Sequence, residues 1–346
     1  MFTGGGSGGH ILPNLALIEE LQEKGGKLET DVLYVGMKGA MEESMTRDRG
    51  IPFTGIQAGK LRRYFDWRNF TDVFRLVVGF FQSLVIVARF DPDTVFAKGG
   101  FVSVPVVLAA WVLRKRIITH ESDVEPGLAN RLIAHFADTV CLTFPKEKYG
   151  PKEVLTGLPL RREIMQAVQK KETSKKTFFP ASAKASAGRT GSDKKTLFVF
   201  GGSLGADEVN QMVWKDLDGL LQKWNVLHLT GKGHARPELT REGYVQAEYV
   251  DDIVRYYQEA DAVLCRAGAT TVMECVALGK YMFLVPLGKN ASRGEQWANA
   301  EWVVREGVGE VLGAPAFETL ASPSQYKKKE SDKKLGSVVI LKIILG

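Results

Sequence analysis

A glycine cluster near the amino terminus is the first feature of this sequence that could carry chemistry. The segment Gly4–His10 holds five glycines within six positions, and a helical pattern follows it. Glycines let the backbone adopt positive φ and approach a ligand closely, while N–H groups at a helix start attract anions. A plain strand-to-helix turn requires fewer glycines, so we expect a phosphate site here. No Gly-Lys-Ser/Thr ends the segment, and its glycine spacing differs from that of a dinucleotide fingerprint.

Two further glycine segments directly follow predicted strands. They are Lys98–Ser103 in the first half of the chain and Gly201–Ala206 in the second. The first could add backbone donors for a pyrophosphate, although an ordinary turn has the same composition. The second repeats the arrangement of Gly4–His10, and the Ser203 hydroxyl could donate to a diphosphate at the start of the following helix.

A small-residue segment in the second half has the character of a binding turn. Arg266–Glu274 follows a predicted strand, its small residues indicate a close backbone approach, and Thr270 or Thr271 could cap a helix. We therefore expect Glu274 in the first turn of that helix. Its carboxylate would either favour the helix dipole or accept two hydrogen bonds from a ribose. The spacing alone leaves both interpretations open.

Two side-chain amides lie three residues apart further along the chain. Gln296 and Asn299 would share one face of a predicted helix. Amides donate and accept hydrogen bonds, as sugar hydroxyls do. A solvated polar helix face would have the same pattern, so the sequence alone does not distinguish a sugar site from a surface.

The scaffold for these segments follows from the alternation of strand and helix patterns, which predicts a parallel α/β architecture. The predicted strands are Asp31–Val35, Thr94–Ala97, Arg116–Thr119, Thr139–Leu142, Val154–Thr156, Thr196–Phe200, Val226–Thr230, Tyr244–Ala247, Ala262–Cys265 and Tyr281–Val285. The predicted helices are Pro13–Lys24, Phe70–Arg89, Val124–Phe136, Ala206–Gln222, Asp251–Glu259, Thr271–Leu278 and Glu295–Glu306. Each half opens with a strand, a glycine-rich turn and a helix. We expect two Rossmann-like, doubly wound parallel-sheet domains that face a cleft.

Domain boundaries follow from breaks in this rhythm. We expect one domain at residues 1–160 and a second at residues 196–315. Residues 161–195 form the connection, with a flexible insertion rich in Lys, Ser, Ala and Gly. Residues 316–346 form an atypical lysine-rich tail that ends in a short apolar run, Val338–Leu345.

Composition excludes several classes of protein. The net charge is +6, but Lys170–Lys195 carries +6 and Tyr326–Gly346 carries +4, so the remaining residues carry −4. The basic residues are therefore not arranged on a patterned face, and we expect no nucleic-acid partner. Three widely spaced cysteines favour a reducing compartment over a disulfide framework. We find no signal-peptide pattern and no apolar run long enough to cross a membrane.

Taken together, the motifs resemble the peptidoglycan N-acetylglucosaminyltransferases of glycosyltransferase family 28. The resemblance extends from Gly4 to about Gly309 and depends on several motifs in order. These are GGGSGGHILP, KGGFVSVP, HESDVEPGLANR, GLPLR, GGSLGA, TGKGH, YVDDI, RAGATTVMECVALGK and EQWANA. The family implies a GT-B fold that binds the UDP-sugar mostly in the C-terminal domain. It implies no metal or other cofactor.

The resemblance also implies positions for both substrates. Donor contacts would come from Gly6, Ser7, Gly8, Asp123, Arg161, Ser203, Ile253, Ala269, Thr270, Thr271, Val272, Met273, Glu274, Gln296 and Asn299. The acceptor pyrophosphate would meet Gly6, Ser7, Gly8, Gly9, Gly99 and Gly100. Among the donor contacts, Ile253 would lie beside the uracil, Glu274 would hold the ribose, and Gln296 and Asn299 would contact the sugar.

The reaction implied is one inverting displacement. The muramyl 4-hydroxyl of an undecaprenyl-pyrophosphoryl-MurNAc-pentapeptide attacks the anomeric carbon of UDP-N-acetylglucosamine, and UDP leaves. The attacking hydroxyl needs a base, for which His10 is the candidate, because the positive end of its helix favours a neutral imidazole. Alternatively, His10 only fixes the loop through a hydrogen bond.

Three positions in two motifs depart from the family pattern. Ser122 and Asp123 stand where the family usually has Gln-Asn, and Leu158 stands where Asn is common. An ionised Asp123 cannot donate a hydrogen bond and would repel a diphosphate. Its donor contact is therefore in question, while the glycine turns are unaffected.

A basic and aromatic stretch precedes a long apolar helix pattern. Lys60–Arg68 combines cations with aromatic residues, and Phe70–Arg89 carries many aliphatic residues. A buried helix explains the aliphatic residues. The exposed part could instead lie on an anionic bilayer, as a polyprenyl-linked acceptor would require. We expect a peripheral protein on the cytoplasmic face of the membrane.

Three alternative functions stay open. One is another GT-B lipid glycosyltransferase, such as a diacylglycerol glycosyltransferase. The second is a non-hydrolysing UDP-sugar epimerase of similar fold. The third is a degenerate UDP-sugar-binding homologue without catalysis, which the short first strand, Asp123 and the irregular tail would suit.

Overall fold

The structure is a computed structural model that describes residues 1–24, 31–59, 68–170, 194–201, 206–288, 294–312 and 336–345. The chain folds into two compact units. Unit 1 comprises Met1–Arg161 together with Lys334–Gly346, and unit 2 comprises Arg162–Lys333.

Unit 1 is built on a seven-stranded sheet in which all pairs are parallel, in the order β3-β2-β1-β4-β5-β6-β7. Its strands are β1 Phe2–Thr3, β2 Tyr34–Met37, β3 Phe53–Ile56, β4 Thr94–Ala97, β5 Arg116–Glu121, β6 Thr139–Leu142 and β7 Glu153–Leu155. Its helices are α1 Gly8–Lys24, α2 Met41–Arg47, α3 Arg68–Phe90, α4 Ser103–Val112 and α5 Leu128–Phe136.

Both faces of this sheet are covered. Along β4, Val95 and Ala97 belong to a core with residues of α3, α4 and α5, whereas Phe96 between them belongs to a core with residues of α1. This follows from the alternation of side chains along a strand, and it explains why the strand residues are almost uniformly apolar.

A last helix, Gly336–Leu345, also packs in unit 1. Ile340 and Leu341 are fully buried in the same core as Ile11 and Leu15 of α1. The prediction that Val338–Leu345 belongs to an irregular tail was wrong, because its apolar residues form a helix that covers one face of the unit 1 sheet.

Unit 2 repeats the architecture with a six-stranded parallel sheet in the order β10-β9-β8-β11-β12-β13. Its strands are β8 Lys195–Phe200, β9 Trp224–Leu229, β10 Tyr244–Ala247, β11 Ala262–Cys265, β12 Tyr281–Leu284 and β13 Gly309–Val311. Its helices are α6 Arg162–Lys170, α7 Asp207–Lys215, α8 Leu217–Lys223, α9 Ile253–Glu259, α10 Ala269–Ala277 and α11 Glu295–Arg305; the helix at Gly336–Leu345 is α12. Two doubly wound parallel sheets confirm the predicted α/β class.

Candidate active site

The strand orders place the glycine segments at the switch point of each sheet. In unit 1 the chain moves from β1 outward through β2 and β3, and then continues from β4 in the opposite direction. In unit 2 the same reversal lies between β8 and β11. Open α/β sheets bind ligands beside the carboxyl ends of the strands at such a point. Three of the four loops at these two points are glycine segments predicted from the sequence, and the fourth is the Arg266–Glu274 turn.

The two loops of unit 1 touch each other. A Cβ on Gly100, after β4, would lie 2.4 Å from the backbone oxygen of Gly5, after β1. Gly100 has a φ of +83°, and its neighbour Gly99 has a φ of +108°, which residues with side chains rarely adopt. A Cβ on Gly5 would in turn lie 2.2 Å from the buried carboxylate of Glu42. Only glycine fits these positions, so the backbone itself forms the surface of the site.

Helix α1 begins at Gly8, directly after the glycine loop, so its amino terminus lies at the carboxyl ends of the unit 1 strands. The first N–H groups of any helix, here those of Gly8 and Gly9, have no acceptor within the helix. Gly6 has a φ of +82°, and Ser7 beside it is exposed. The turn therefore presents backbone donors and a hydroxyl to an anionic ligand.

His10 lies in the first turn of α1 and is half-buried. Its Nδ1 is 3.0 Å from the carbonyl oxygen of Gly5 and 3.3 Å from the Ser7 hydroxyl. A carbonyl can only accept, so we assign the proton of the neutral ring to Nδ1, and Nε2 then carries the lone pair. This arrangement fixes the ring to the glycine loop and provides a basic nitrogen.

A cluster of buried polar side chains lies at the carboxyl end of β5. Glu121 accepts from Asn130 Nδ2 at 2.8 Å and from the Asp123 backbone N–H at 3.0 Å, and burial raises its pKa. The Nε2 atom of His120 lies 2.9 Å from the carbonyl oxygen of Gly157. Burial holds the pKa of His120 well below its ordinary value. The Lys98 ammonium donates to the hydroxyl of Ser122, next to these residues.

The unit 2 switch point is described in part. Ser203 and the surrounding residues 202–205 lie outside the described residues, so the contact expected of Ser203 stays a prediction. The opposite loop leads from β11 into α10, which begins at Ala269 with Gly268 as its N-cap. The segment from Ala269 to Met273 therefore forms the first turns of a helix that starts at the sheet edge, as an anion site requires.

The expected position of Glu274 in the first helical turn was wrong. Glu274 is the sixth residue of α10, whose first turn contains no acidic residue, so its carboxylate does not serve the helix dipole. The residue is only 2% exposed, and the hydroxyl of the buried Tyr257 donates to its Oε2 at 3.1 Å. The helix starts two residues earlier than predicted, because Gly268 and not a threonine caps it.

The two amides of α11 hold the site together. Asn299 is fully buried, and its Nδ2 donates to the Ala267 carbonyl at 3.0 Å. The Gln296 Oε1 accepts from the Leu287 backbone N–H at 3.1 Å. Asn299 therefore does not lie on a solvated helix face, whereas the Gln296 side chain is half-buried. Any sugar contact of Gln296 would come from its NH₂ group.

The remaining two candidates lie at helix starts. Ile253 is the first residue of α9, directly after Asp252, whose Oδ1 accepts from the Val254 N–H at 3.1 Å. Arg161 is half-buried and immediately precedes α6. It is the last residue of the first part of unit 1.

A buried hydrogen-bond network, which we call the His228 network, anchors α7 behind the unit 2 switch point. Asn210 donates to the Thr230 carbonyl at 2.8 Å, so its Oδ1 accepts from His228 Nε2 at 3.0 Å. The Tyr244 hydroxyl then donates to His228 Nδ1 at 2.9 Å and accepts from Trp214 Nε1 at 3.1 Å. Every partner is satisfied, which makes α7 a rigid base for the loop before it.

Comparison with known proteins matches both units to one family. Residues 1–142 match the glycosyltransferase family 28 N-terminal domain, and residues 196–325 match the C-terminal domain of the same family. The chain belongs to glycosyltransferase family 28. A relative from Clostridium botulinum (strain Loch Maree / Type A3) is 42% identical over 323 residues, which cover 92% of this chain and 87% of that protein. Its name is UDP-N-acetylglucosamine–N-acetylmuramyl-(pentapeptide) pyrophosphoryl-undecaprenol N-acetylglucosamine transferase.

Solved structures agree on the fold. A crystal structure of Acinetobacter baumannii MurG has a TM-score of 0.66 at 22% identity, and the match covers 99% of this chain and 90% of that one. The UDP-GlcNAc 2-epimerase of Methanocaldococcus jannaschii has a TM-score of 0.63 at 12% identity, with coverages of 99% and 98%. The family 28 fold is thus shared with epimerases, and the sequence match separates the two.

Sequence reasoning missed three side chains of this family 28 site. Lys98 was treated only as part of a glycine segment, although it is completely buried. Tyr257 and Glu42 were not singled out either. The Tyr257 hydroxyl donates to Glu274, and the Glu42 carboxylate fills the space that a side chain at Gly5 would need. The signal for Tyr257 was its position four residues after Ile253, one helical turn along α9.

The His228 network predicts loss of stability in mild acid. Burial lowers the pKa of His228 to about 3, whereas an unfolded histidine titrates near 6.5. Between these values the unfolded chain binds more protons than the folded chain, so stability is complete above about pH 6.5 and falls as the pH falls. We expect urea unfolding to show a loss of about 2 kcal/mol from this residue between pH 7.5 and 5.

His228→Gln is the matched variant for that measurement. It removes the titrating group, so its unfolding free energy should fall less steeply over the same pH range, even if the variant is less stable throughout. An identical slope in both proteins would contradict the assignment to His228.

Proposed function

We propose that this chain transfers N-acetylglucosamine from UDP-N-acetylglucosamine to the muramyl 4-hydroxyl of undecaprenyl-pyrophosphoryl-N-acetylmuramyl-pentapeptide. The observation that carries this proposal is the 42% identity, over 92% of the chain, to a transferase named for that reaction. Backbone turns at the switch point of each sheet provide the phosphate sites that such substrates need.

We assign the acceptor pyrophosphate to unit 1. The touching loops at Gly5 and Gly100, the start of α1 at Gly8 and Gly9, and the positive-φ turn at Gly99 supply backbone donors without side-chain obstruction. The geometry suits a pyrophosphate because several N–H groups can donate at once to its oxygens.

We assign the donor to unit 2. In this assignment the start of α10 receives the UDP diphosphate, Ile253 lies beside the uracil, and Glu274 accepts from the ribose hydroxyls. Asn299 acts indirectly, because its amide holds the Ala267 carbonyl and hence the turn before α10. Gln296 contacts the transferred sugar through its NH₂ group.

In the reaction, His10 Nε2 takes the proton of the muramyl 4-hydroxyl while that oxygen forms a bond to the anomeric carbon. The bond from that carbon to the UDP oxygen breaks on the opposite face, and UDP leaves with the electron pair. The Nδ1 contact with Gly5 fixes the neutral tautomer in which Nε2 carries the lone pair. The α10 start stabilises the charge that develops on UDP.

The test is incubation with radiolabelled UDP-N-acetylglucosamine and a lipid-linked muramyl-pentapeptide. We expect label in the lipid fraction, and no product without the acceptor. Release of UDP without acceptor would indicate the epimerase alternative, which has a similar fold. Label on diacylglycerol would indicate another lipid glycosyltransferase, and calorimetric donor binding without turnover would indicate a degenerate homologue.

Tyr257 offers a test of the ribose assignment. Its hydroxyl donates to Glu274, and its ring packs edge-on against Phe198 and Phe200 at 5.4 and 5.8 Å between centroids. Tyr257→Phe keeps the ring and removes the bond that orients the carboxylate. We expect the affinity for UDP to fall about fivefold to tenfold, with a smaller loss for 2′-deoxy-UDP.

The neighbouring Tyr256→Phe variant is the control for that comparison, since it removes a hydroxyl from the same helix and its ring also packs on Phe198. Equal losses for UDP and 2′-deoxy-UDP in the Tyr257 variant would mean that the bond does not act through the ribose.

We propose a peripheral association with the cytoplasmic face of the membrane. None of the helices among the described residues is long and apolar enough to cross a bilayer. The α3 residues Phe74, Val77, Phe81 and Val85 form one exposed stripe, with Phe74 68% and Phe81 61% exposed. The cations expected beside it at Lys60–Trp67 lie outside the described residues. An exposed apolar stripe on a helix suits insertion at the headgroup level of a bilayer.

Vesicle sedimentation tests this association. We expect binding to phosphatidylglycerol vesicles that weakens as salt screens the lipid charge, and a loss of at least about tenfold in affinity for Phe74→Ser/Phe81→Ser. Tyr249→Ser is the control, because it removes an aromatic side chain that is 63% exposed on unit 2. Equal binding by both variants would exclude the α3 stripe.

A further inference from the structure

Lys98 is a fully buried lysine between the segments that form the unit 1 site. Its backbone N–H donates to the Thr3 carbonyl at 2.9 Å, and its Cβ lies 3.1 Å from where a Cβ on Gly4 would be. Its ammonium donates to the hydroxyl of Ser122, the residue between Glu121 and Asp123. One cation therefore lies beneath the glycine loop and beside two carboxyl groups.

Keeping this ammonium buried is costly for the fold. Desolvation lowers the pKa of Lys98 to about 8, although Glu121 and Asp123 attract its charge. A methionine would fill a similar volume without a charge to desolvate. A buried charge that opposes stability at a candidate ligand site is better explained by ligand chemistry than by packing.

The other titratable groups that face the ammonium do not add charge near neutral pH. From β5, burial holds the pKa of His120 well below its ordinary value, and from β6, burial raises the pKa of Cys141 to about 12. The charge balance at this edge is therefore set by Lys98, Glu121 and Asp123.

We propose that Lys98 is a positioning residue that offsets the charge of Glu121 and Asp123, so that the glycine-lined edge of unit 1 can hold the acceptor diphosphate. The proposal rests on the proposed function. It also accounts for Asp123, whose carboxylate stands where an amide is usual in the family: the cation beside it removes the repulsion that this carboxylate would exert on a diphosphate.

The test compares the acceptor KM of wild type, Lys98→Met, Asp123→Asn and the double variant at pH 7. Lys98→Met should raise the acceptor KM about tenfold, since one positive charge is lost near the diphosphate. Asp123→Asn should lower it, and the double variant should return most of the way to the wild-type value. A purely structural lysine predicts no such rescue.

A pH series gives a second readout. The wild-type acceptor KM should rise between pH 7 and 9 as Lys98 loses its proton, and Lys98→Met should lack that rise. Lys115→Met is the control. Lys115 immediately precedes β5 and pairs with Asp91, which lies before β4, so this ion pair is at the amino ends of the strands and the candidate site is at their carboxyl ends. The acceptor KM of the Lys115→Met variant should match the wild-type value at every pH.

An unchanged acceptor KM in Lys98→Met, or no rescue in the double variant, would overturn the proposal. If Lys98→Met does not fold, the wild-type pH series decides, and a flat acceptor KM from pH 7 to 9 rejects the role of Lys98. A wild-type protein that makes no labelled lipid would instead reject the proposed function, before any variant is compared.

Discussion

Replacing His10 with alanine is expected to lower the turnover number by about 10²–10⁴-fold, the usual contribution of a positioned general base. Donor affinity should change little, because the imidazole belongs to the unit 1 loop through its contact with Gly5. Single-turnover transfer of labelled sugar measures the chemical step, and calorimetry with UDP measures donor binding.

A second variant separates the base from the loop-fixing role that the sequence left open. His10→Asn places an amide N–H near the position of Nδ1, so it can still donate to the Gly5 carbonyl, but it has no basic atom. If His10 is the general base, both variants should have a low turnover number. If His10 only fixes the loop, the His10→Asn variant should keep the wild-type turnover number. His135→Ala, at an exposed histidine of α5, is the control and should be unaffected.

Gly100→Ala is expected to lower kcat/KM for the acceptor by about 100-fold. Its new methyl group would lie 2.4 Å from the Gly5 backbone oxygen, so one of the two touching loops must move. Displacements on the order of 1 Å at a site that positions reacting groups cost about this factor. KM for UDP-N-acetylglucosamine should change little, because we assign the donor to unit 2.

Gly39→Ala isolates the steric effect from backbone strain. Gly39 also has a positive φ, +74°, but a Cβ there would have nothing within 4 Å. Both variants strain the backbone, and only Gly100→Ala forces the loops apart. Equal kcat/KM values for the acceptor in the two variants would contradict the assignment of the touching loops.

Sequence patterns predicted most of the sheet scaffold. Thr94–Ala97, Thr139–Leu142, Tyr244–Ala247 and Ala262–Cys265 were predicted with their observed limits, because buried parallel strands are short apolar runs between turn residues. The prediction of a single helix over Ala206–Gln222 was wrong. The chain forms two helices there, and Asp216 interrupts the pattern with a φ of −125°.

Two strands were not predicted at all. Phe53–Ile56 contains a glycine and a threonine, and Gly309–Val311 contains a glycine and a glutamate, so neither has a clear apolar signal. Both form because a neighbouring strand already offers a row of backbone partners: Phe53 pairs in register with Tyr34, and Gly309 pairs with Met282. Such edge strands depend on tertiary context more than on their own residues.

The glycine turns of the site were predictable from the sequence, whereas the helix cap at Gly268 and the features that depend on burial were not. The segment with Gly99 and Gly100 was noted for its glycines, and the family resemblance implied its role. The roles of Asn299 and Lys98 depend on which atoms surround them, and no spacing rule shows that an amide faces a carbonyl from another loop. Glu274 lies two residues further into its helix than expected, and its side chain is only 2% exposed.

The packing of α12 against α1 has a consequence for the order in which the chain can mature on the ribosome. Ile340 and Leu341 are 0% and 2% exposed, and they close a core whose other members are encoded more than 190 residues earlier. A nascent amino-terminal lobe therefore keeps an uncovered apolar face until α12 has been synthesised. Its last layer arrives only when α12 clears the exit tunnel, so chaperone protection during synthesis falls on this lobe first.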